Sequence, residues 1–330
     1  MKKILLIGGG GYVGSVVSAH LLKLGYFVNV LDNYIYNHQF SLIPFIEERN
    51  FKFFYGNIND SEKLSKASEG VDSVVIFAGL VGDPITKKYP NQSFEINEKG
   101  IQYCIDFYDK SCIKKLIFIS TCSNYGLIAD NEIADEGFQL NPISLYAKAK
   151  VKNEKYLLDK KGKVNYSGVV LRFATAFGLS PRMRFDLSIS EFTKDIFFDR
   201  ELLIYDENTW RPYCHVKDFA RLIQMILDAN KKNIDFEVFN AGGDENNFTK
   251  KMIVEKIFNE IKRGKILYAK NGSDARNYRV TFKKVKEILG FEPIYTIDYG
   301  VEELVNAFER GIFNDVNTDI NKYGNYEIKI

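Results

Sequence analysis

The sequence predicts an α/β fold in which helices cover a doubly wound parallel sheet and a smaller, mixed α/β domain follows. Short apolar runs rich in β-branched residues alternate with stretches of helical periodicity through the first half of the chain. The run at residues 74–77 is apolar without alternation, which is typical of a strand buried on both faces. Strand–helix alternation at this pitch indicates right-handed βαβ units within one sheet.

The apolar pattern also predicts where the individual elements lie. Runs of β-branched residues predict strands at residues 3–7, 27–31, 52–55, 73–77, 115–120 and 164–173. Apolar residues at helical spacing predict helices at residues 15–24, 97–108, 144–158, 185–198, 217–229, 250–262 and 282–289. Residues 311–330 are polar and rich in asparagine, so we expect an extended tail with little to pack.

Composition and charge exclude several classes of partner. The 330 residues carry 45 Lys and Arg against 43 Asp and Glu, a net charge of +2. This balance provides no electrostatic footprint for nucleic acid or for an anionic membrane. The four cysteines and three histidines lack metal-ligand spacing, so neither a metal site nor a disulfide framework is predicted. No apolar run reaches the roughly 18 residues of a membrane span, and we expect a cytoplasmic protein.

A glycine-rich turn follows the first predicted strand and opens the first helix. Gly8, Gly11 and Gly14 are spaced so that the chain can turn tightly, approach a pyrophosphate and pack the helix on the strand. The helix N-terminus is then free to receive the anion. Asp32 ends the second strand, where a carboxylate accepts hydrogen bonds from ribose hydroxyls and repels a 2′-phosphate. The pattern therefore predicts a dinucleotide site that prefers NAD to NADP.

Tyr146 and Lys150 form a Y-x-x-x-K element in a predicted helix, so both side chains lie on one helical face. A free tyrosine has a pKa of about 10, and ionising it near neutral pH needs roughly 4 kcal/mol. A unit charge about 5 Å away at an effective dielectric of about 20 supplies on the order of 3 kcal/mol. Lys150 together with an oxidised nicotinamide ring covers the difference, so Tyr146 is expected to act as a base only when NAD is bound.

Thr121 lies at the end of a predicted strand, where side chains face ligands. It opens the stretch Thr-Cys-Ser-Asn-Tyr-Gly, and the Ser or Thr four residues before such a Tyr-Gly pair is catalytic in one large family. With the glycine spacing and the Y-x-x-x-K element, this stretch resembles the extended short-chain dehydrogenase/reductase family. The resemblance is to its nucleotide-sugar epimerase and dehydratase group, and it covers essentially the whole chain.

The resemblance implies a Rossmann domain and three catalytic residues, Thr121, Tyr146 and Lys150. The cofactor-binding residues that it implies are Gly8, Gly11, Tyr12, Val13, Gly14, Asp32, Asn33, Asn57, Ile58, Phe77, Ala78, Gly79, Asn97, Tyr146, Lys150 and Phe173. Asn57 stands where the family has an acid beside the adenine. Asn97 resembles an asparagine that steadies the central strands.

The same resemblance implies a nucleotide-diphosphate sugar as substrate. The substrate-binding residues are then Thr121, Thr175, Arg182, Arg184, Arg211 and Arg276. Arg211 is expected on the substrate pyrophosphate, because an arginine fork matches two oxygens, whereas Arg182 and Arg184 could instead form ordinary salt bridges. Thr175 stands where many epimerases have an asparagine on the diphosphate.

The resemblance also indicates the domain organisation and the assembly. Residues 1–178 with about 212–242 form the NAD-binding domain, and residues 179–211 with 243–330 form the nucleotide-sugar domain. A homodimer is expected, joined through the helix that carries Y-x-x-x-K and the helix that follows Asn97. His215 and Asp218 are expected to hold the chain where it crosses between the domains.

The chemistry shared by the family is removal of a proton from a sugar hydroxyl, here expected at C4, with hydride transfer to NAD. An epimerase returns the hydride on the other face, whereas a 4-dehydrogenase, as in the GDP-heptose type, releases the keto sugar. We favour the epimerase. A 4,6-dehydratase is disfavoured, because Cys122 and Ser123 replace the acid pair that follows the catalytic threonine in such enzymes. An alternative from another class is a non-catalytic dinucleotide sensor. The presence of Thr121, Tyr146 and Lys150 argues against it, because a sensor needs no base.

Overall fold

A seven-stranded parallel sheet forms the centre of the chain and confirms the predicted fold class. The computed structural model describes residues 2–272, 276–316, 318 and 320–328. Within the sheet the strands lie in the order β3 (Phe51–Tyr55), β2 (Phe27–Asp32), β1 (Lys3–Ile7), β4 (Ser73–Ile76), β5 (Lys115–Thr121), β6 (Ser167–Phe173) and β10 (Glu237–Ala241), and every pairing is parallel. The order reverses between β1 and β4, which makes the sheet doubly wound.

The sheet strands are β1 Lys3–Ile7, β2 Phe27–Asp32, β3 Phe51–Tyr55, β4 Ser73–Ile76, β5 Lys115–Thr121, β6 Ser167–Phe173 and β10 Glu237–Ala241. The strands outside it are β7 Thr175–Phe177, β8 Glu201–Tyr205, β9 Trp210–His215, β11 Asn247–Thr249 and β12 Lys265–Ala269. All six predicted strands are therefore confirmed, although the sixth begins only at Ser167.

The helices are α1 Tyr12–Lys23, α2 Ser61–Ala67, α3 Asp83–Lys88, α4 Pro90–Phe94, α5 Ile101–Phe107, α6 Leu145–Leu158, α7 Ser188–Phe197, α8 Val216–Asp228, α9 Lys231–Ile234, α10 Lys250–Ile261, α11 Lys283–Leu289 and α12 Ile297–Glu309. A π-helical turn at Glu95–Gly100 precedes α5, and short 3₁₀ helices lie at Gln39–Phe45, Cys122–Tyr125, Asp244–Asn246 and Ile320–Tyr323. Over the described residues, no helix is long and apolar enough to cross a membrane.

Alternate residues of the central strands enter two separate apolar layers. Ile4 and Leu6 of β1 pack into a cluster that contains α1 and α8, whereas Leu5 and Ile7 pack into a cluster with α5 on the other face. Since both faces are covered, both sets of side chains must be apolar. This is the physical reason for the unbroken apolar runs that predicted the sheet.

The second half of the chain adds a smaller region with its own core. Strands β7, β9 and β11 form one small sheet, and β8 pairs with β12 in another. Helices α7, α10 and α12 enclose an apolar cluster beside them, in which Ile196, Ile257 and Val301 are buried. Helix α12 was not predicted, whereas the predicted helices at 217–229 and 250–262 are confirmed as α8 and α10. The residue limits of the two domains stay a prediction.

His215 and Asp218 hold the chain between the regions, as expected. His215 Nε2 lies 2.8 Å from Glu303 Oε1 on α12, and its Nδ1 accepts a hydrogen bond from Lys217 N at the start of α8. The Asp218 carboxylate accepts hydrogen bonds from the backbone N–H groups of residues 294 and 295. Both side chains are fully buried and act structurally.

The C-terminal segment corrects the prediction of an extended tail at 311–330. Phe313, Val316 and Tyr323 are buried against the second region. The ring of Phe313 lies 5.1 Å from that of Phe185, and Phe185 N donates a 2.7 Å hydrogen bond to Tyr323 O. The prediction was wrong because these apolar residues are separated by turns and follow no periodic spacing. Residues 317, 319, 329 and 330 of the predicted tail lie outside the described residues.

Replacing Phe313 with Ala should therefore destabilise the protein. Removing a buried phenyl ring leaves a cavity and costs about 3 kcal/mol. Ile312, its neighbour, is 58% exposed, so Ile312→Ala should change the free energy of unfolding little. Urea unfolding of both variants measures the difference. Equal stability of the two variants would mean that the segment does not pack as described.

Candidate active site

A cavity of about 600 Å³ opens at the carboxyl edge of the seven-stranded sheet. It lies at the point where the strand order reverses, which is where doubly wound sheets bind ligands. Side chains from both halves of the chain line it. Every site residue predicted from the sequence lines this cavity except Asn97.

The glycine loop has the shape that a dinucleotide pyrophosphate requires. Gly8 has a φ of +80°, and a Cβ there would lie 2.7 Å from Ala78 N. A Cβ on Gly14 would lie 2.7 Å from both Gly8 O and Gly9 Cα, so helix and strand could not pack as closely. Gly11 is the N-cap of α1 and offers no side-chain cap. The first N–H groups of α1 are therefore available to an anion.

Asp32 presents an ionised carboxylate to the same cavity. Its oxygens accept 2.9 Å hydrogen bonds from Gly10 N and Tyr34 N, and His38 Nε2 lies 3.4 Å away. Burial raises the pKa of Asp32, but His38 and the two backbone N–H groups outweigh burial and leave the pKa below its ordinary value. The charged carboxylate fits the hydroxyls of an NAD ribose and opposes the extra phosphate of NADP.

Two of the predicted asparagines line the cavity, and a third is buried outside its lining. Asn33 Nδ2 donates a 2.6 Å hydrogen bond to Asn57 Oδ1, which fixes both amides at the edge of the cavity. Asn97 is buried. Its Oδ1 accepts a 2.7 Å hydrogen bond from Leu80 N, and its Nδ2 donates a 2.9 Å hydrogen bond to Leu80 O. Asn97 therefore positions the loop after β4, in keeping with a steadying role, and does not face the cavity.

Helix α6 brings Tyr146 and Lys150 together on adjacent turns. Lys150 is 3% exposed, and its Nζ donates a 2.5 Å hydrogen bond to Ile119 O of β5. The same nitrogen lies 5.7 Å from the centroid of the Tyr146 ring. Both side chains line the cavity. The 5.7 Å distance is close to the roughly 5 Å between the lysine charge and the phenol that was assumed from the sequence.

Thr121 closes β5 and lies at the same cavity. Its Oγ1 accepts a 3.1 Å hydrogen bond from Ser123 N and so caps the short 3₁₀ helix that follows. Because the backbone N–H uses one lone pair of this oxygen, the hydroxyl hydrogen and the second lone pair remain for a ligand. The residue can therefore hydrogen-bond an oxygen in the cavity.

The protein alone does not ionise Tyr146. Burial raises its pKa well above the ordinary value, Asp83 acts in the same direction, and the positive charge of Arg184 offsets only part of the effect. Burial lowers the pKa of Lys150 to about 7, although Glu154 opposes the change. A further positive charge close to the phenol is needed before Tyr146 can act as a base at neutral pH.

A buried network of polar side chains, which was not predicted, connects α6 to β5 and β6. Glu154 and Arg172 form an ion pair, with Arg172 Nη2 2.8 Å from Glu154 Oε2. Glu154 also accepts hydrogen bonds from Ser120 and from Asn124 Nδ2, and Arg172 Nη1 donates to Tyr125 OH. The signal was present in the sequence: Glu154 follows Lys150 at helical spacing, and Arg172 is a charge within an apolar strand.

A cationic and aromatic group of side chains, here called the cationic end, also lines the cavity. The Arg211 guanidinium lies 4.9 Å from the centroid of the Tyr278 ring. Arg276 Nη1 donates to Ser123 Oγ at 3.3 Å and lies 3.5 Å from Asp83 Oδ2. Tyr278, Ser123 and Asp83 line the cavity but were not predicted as site residues. Of the three, only Ser123, two residues after Thr121, had a local sequence signal.

The remaining predicted arginines, Arg182 and Arg184, also line the cavity. Arg184 donates two hydrogen bonds to Asp186, at 2.9 and 2.6 Å, which is the ion pair that the sequence left open. Arg182 is 1% exposed and donates a 2.8 Å hydrogen bond to Gly324 O. Thr175, at the start of β7, lines the cavity as well.

Known proteins with the same fold and related sequences place this chain in a family. The model of the NAD dependent epimerase/dehydratase family matches residues 4–242, more than half of the chain. The chain is 27% identical to UDP-glucose 4-epimerase from Lacticaseibacillus casei, over 93% of this chain and 96% of the relative. It is 26% identical to dTDP-glucose 4,6-dehydratase from Streptomyces niveus, over 93% and 92% of the two chains.

Solved structures agree with the sequence relatives. UDP-glucose 4-epimerase from Thermotoga maritima, solved with UDP-glucose, superposes with a TM-score of 0.83 at 25% identity and covers 94% of this chain and 99% of its own. dTDP-glucose 4,6-dehydratase from Bacillus anthracis, solved with NAD, gives 0.82 at 25% identity, with 94% and 97% covered. The chain therefore belongs to the NAD-dependent epimerase/dehydratase family, within the nucleotide-sugar group of the extended short-chain dehydrogenases/reductases.

Proposed function

We propose that the chain is a nucleotide-sugar epimerase that acts by transient oxidation of the sugar at C4. The observation that carries the proposal is that Thr121, Tyr146 and Lys150 line one cavity with the glycine loop at residues 8–14. A base and a hydride-acceptor site that face the same space can oxidise a carbinol between them. The likeness to UDP-glucose 4-epimerases supports the same reading.

Each of the three proposed catalytic side chains has a separate role. Bound NAD supplies the hydride acceptor and the positive charge that the Tyr146 phenol lacks in the protein alone. Tyr146 then takes the proton from the sugar hydroxyl, and the Thr121 hydroxyl hydrogen-bonds the same oxygen. Lys150 stabilises the phenolate electrostatically across the 5.7 Å to the ring. When the keto sugar has turned over, Tyr146 returns the proton as the alcohol re-forms.

The cationic end of the cavity is suited to the substrate diphosphate. Arg211 is 6% exposed and lines the cavity, and Arg276 stands on the same side. Two guanidinium groups can bind the oxygens of a diphosphate in pairs. We therefore propose a sugar linked to a nucleoside diphosphate as the substrate class.

The geometry beside Thr121 argues against dehydration. A 4,6-dehydratase needs an acid and a base in addition to the tyrosine. Cys122 is buried in the apolar core, where its Sγ donates to Arg172 O, and burial raises the pKa of its thiol. Ser123 faces the cavity but is a hydroxyl bonded to Arg276. Neither group can transfer a proton at neutral pH as a carboxyl does.

We also propose that the chain forms a homodimer through α6 and the helical segment around α5. Exposed Phe94, Tyr103 and Leu145 lie on or next to these helices and supply apolar surface. Sedimentation should show a dimer, and Tyr103→Glu should weaken it. A monomeric wild-type protein would contradict the proposal.

Replacing Tyr146 with Phe should greatly slow turnover while NAD binding persists. The variant lacks only the hydroxyl that moves the proton, so the rate should fall about 10²- to 10⁴-fold. Turnover and NAD affinity are measured on the same preparation. Tyr268→Phe, at an exposed position of β12, is the matched control and should behave as wild type. Unchanged turnover in Tyr146→Phe would remove the base from the mechanism.

Replacing Lys150 with Met should change how stability depends on pH. The folded-state pKa of about 7 lies below the ordinary 10.5, so unfolding takes up a proton between these values and becomes harder as pH rises. From about pH 7 to 9, wild-type stability should rise relative to the variant by on the order of 1 kcal/mol per pH unit. Urea unfolding at each pH tests this.

Lys148 is exposed on the same helix, so Lys148→Met serves as the control for the loss of a lysine and should keep the wild-type pH dependence. Parallel pH curves for wild type and Lys150→Met would show that Lys150 is not a buried, titrating ammonium.

A panel of UDP-, GDP-, CDP- and dTDP-sugars tests the reaction itself. NADH absorbance and the sugar product are recorded together. Conversion of one sugar to its C4 epimer without net NADH is the expected result, because the hydride returns to the sugar. Stoichiometric NADH with a keto sugar would instead identify a 4-dehydrogenase, and a 6-deoxy keto sugar would identify a dehydratase.

A further inference from the structure

Arg182 is a buried arginine that makes no direct ion pair with any carboxylate in the described part of the chain. It is 1% exposed, and across the described ranges no carboxylate lies within ion-pair distance of it. The Asp186 carboxylate accepts two hydrogen bonds from Arg184 and none from Arg182 among the described contacts. Burial lowers the pKa of Arg182 to about 10, and the positive charge of Arg184 acts in the same direction, whereas the charges of Asp186 and Asp32 oppose the change. A buried guanidinium that forms no direct ion pair is stabilised when a ligand supplies an anion.

One donor of this guanidinium is left for a ligand. Arg182 Nη2 donates to Gly324 O, whereas Nη1 is buried and has no hydrogen-bond partner among the residues that the structure describes. Arg182 is one of the residues that line the large cavity, so a ligand there lies next to a guanidinium with an unpartnered donor. A planar guanidinium with a free N–H is suited to a phosphate oxygen.

The segment that carries Arg182 is attached to the first turn of α1. Ser180 Oγ donates a 2.7 Å hydrogen bond to Tyr12 O and lies 3.1 Å from Ser15 Oγ. On its other side, the guanidinium carbon lies 5.3 Å from the centroid of the Tyr36 ring, in the loop after Asp32. Arg182 therefore lies near both the N-terminal end of α1 and the loop after β2.

The C-terminal residues 323–328, here called the strap, close this side of the cavity. Gly324 accepts the hydrogen bond from Arg182, and Asn325 Nδ2 donates a 2.9 Å hydrogen bond to Val81 O. Asn325 and Tyr326 line the cavity. Lys88 forms a 3.1 Å ion pair with Glu327 at the far end of the strap. The strap therefore covers Arg182 from solvent and ties it to the loop after β4.

We propose that Arg182 binds the pyrophosphate of NAD and that the strap holds this arginine in place and retards release of the cofactor. The α1 N-terminus and Arg182 would contact the diphosphate from two sides. This is a different role from the substrate phosphate contact that the family resemblance implied for Arg182. It rests on NAD as cofactor and not on which sugar is converted.

The test measures nucleotide binding by calorimetry on the full chain stripped of nucleotide. Arg182→Met should weaken NAD and ADP-ribose by the same factor, about 10- to 100-fold, because both contain the diphosphate. Adenosine, which lacks it, should bind as to wild type. Arg182→Lys should recover part of the affinity, and Arg200→Met, at a half-exposed surface position, should change nothing. If Arg182→Met does not fold, Arg182→Lys and Arg182→Gln provide the comparison.

Three outcomes would overturn the proposal. The first is an unchanged NAD affinity. The second is a loss of adenosine affinity as large as the loss of NAD affinity, which would mean that the substitution distorts the cleft. Alternatively, UDP-glucose affinity could fall while NAD affinity stays the same, which would assign Arg182 to the substrate diphosphate. Because no arm requires turnover, a failure here is distinguishable from a failure of the proposed epimerase reaction.

The strap has its own variant. Asn325→Ala removes the bond to Val81 O without touching the guanidinium, so NAD should dissociate several-fold faster while the association rate changes little. Stopped-flow displacement of NAD measures this rate. Thr318→Ala, on an exposed residue before the strap, is the control. An unchanged dissociation rate in Asn325→Ala would overturn the role of the strap.

Discussion

The buried ammonium of Lys150 is the constraint on which the rest of the site depends. Its Nζ lies 2.5 Å from Ile119 O and 5.7 Å from the centre of the Tyr146 ring. Burial makes the charge costly, since it lowers the pKa of Lys150 to about 7. The same burial limits screening by water, so a charged Lys150 favours the Tyr146 phenolate more than an exposed lysine at the same distance would. Stability and acid–base function are therefore opposed at one nitrogen atom.

Helix α6 transmits this arrangement to the sheet. Glu154, one turn beyond Lys150, is bound by Arg172 of β6, and Asn153 Nδ2 donates a 2.5 Å hydrogen bond to Asn97 O. The helix is thus held on one side by the strand that ends at the cavity and on the other by the segment that orders the cofactor loop. Rigid elements position the tyrosine better than a loop could, which suits a proton transfer that depends on distance.

The two halves of the chain meet through buried hydrogen bonds around the first helix. Tyr12 OH donates a 2.6 Å hydrogen bond to Gly178 O, and Ser180 binds the first turn of α1. These contacts fix the glycine loop relative to the segment that leads into the second region. The glycine loop and the second half of the chain, which line the same cavity, are therefore held in a fixed arrangement.

Local patterns determined much of the protein from sequence alone: the strand–helix alternation, the glycine turn before α1, Asp32 at the end of β2, and the shared helical face of Tyr146 and Lys150. Each depends on spacing within a few residues, where backbone geometry dictates which side chains meet. Only the tertiary structure decided that Arg172 binds Glu154 and that residues 323–328 return to cover Arg182. Those contacts join residues distant in the chain, so no periodic signal marks them.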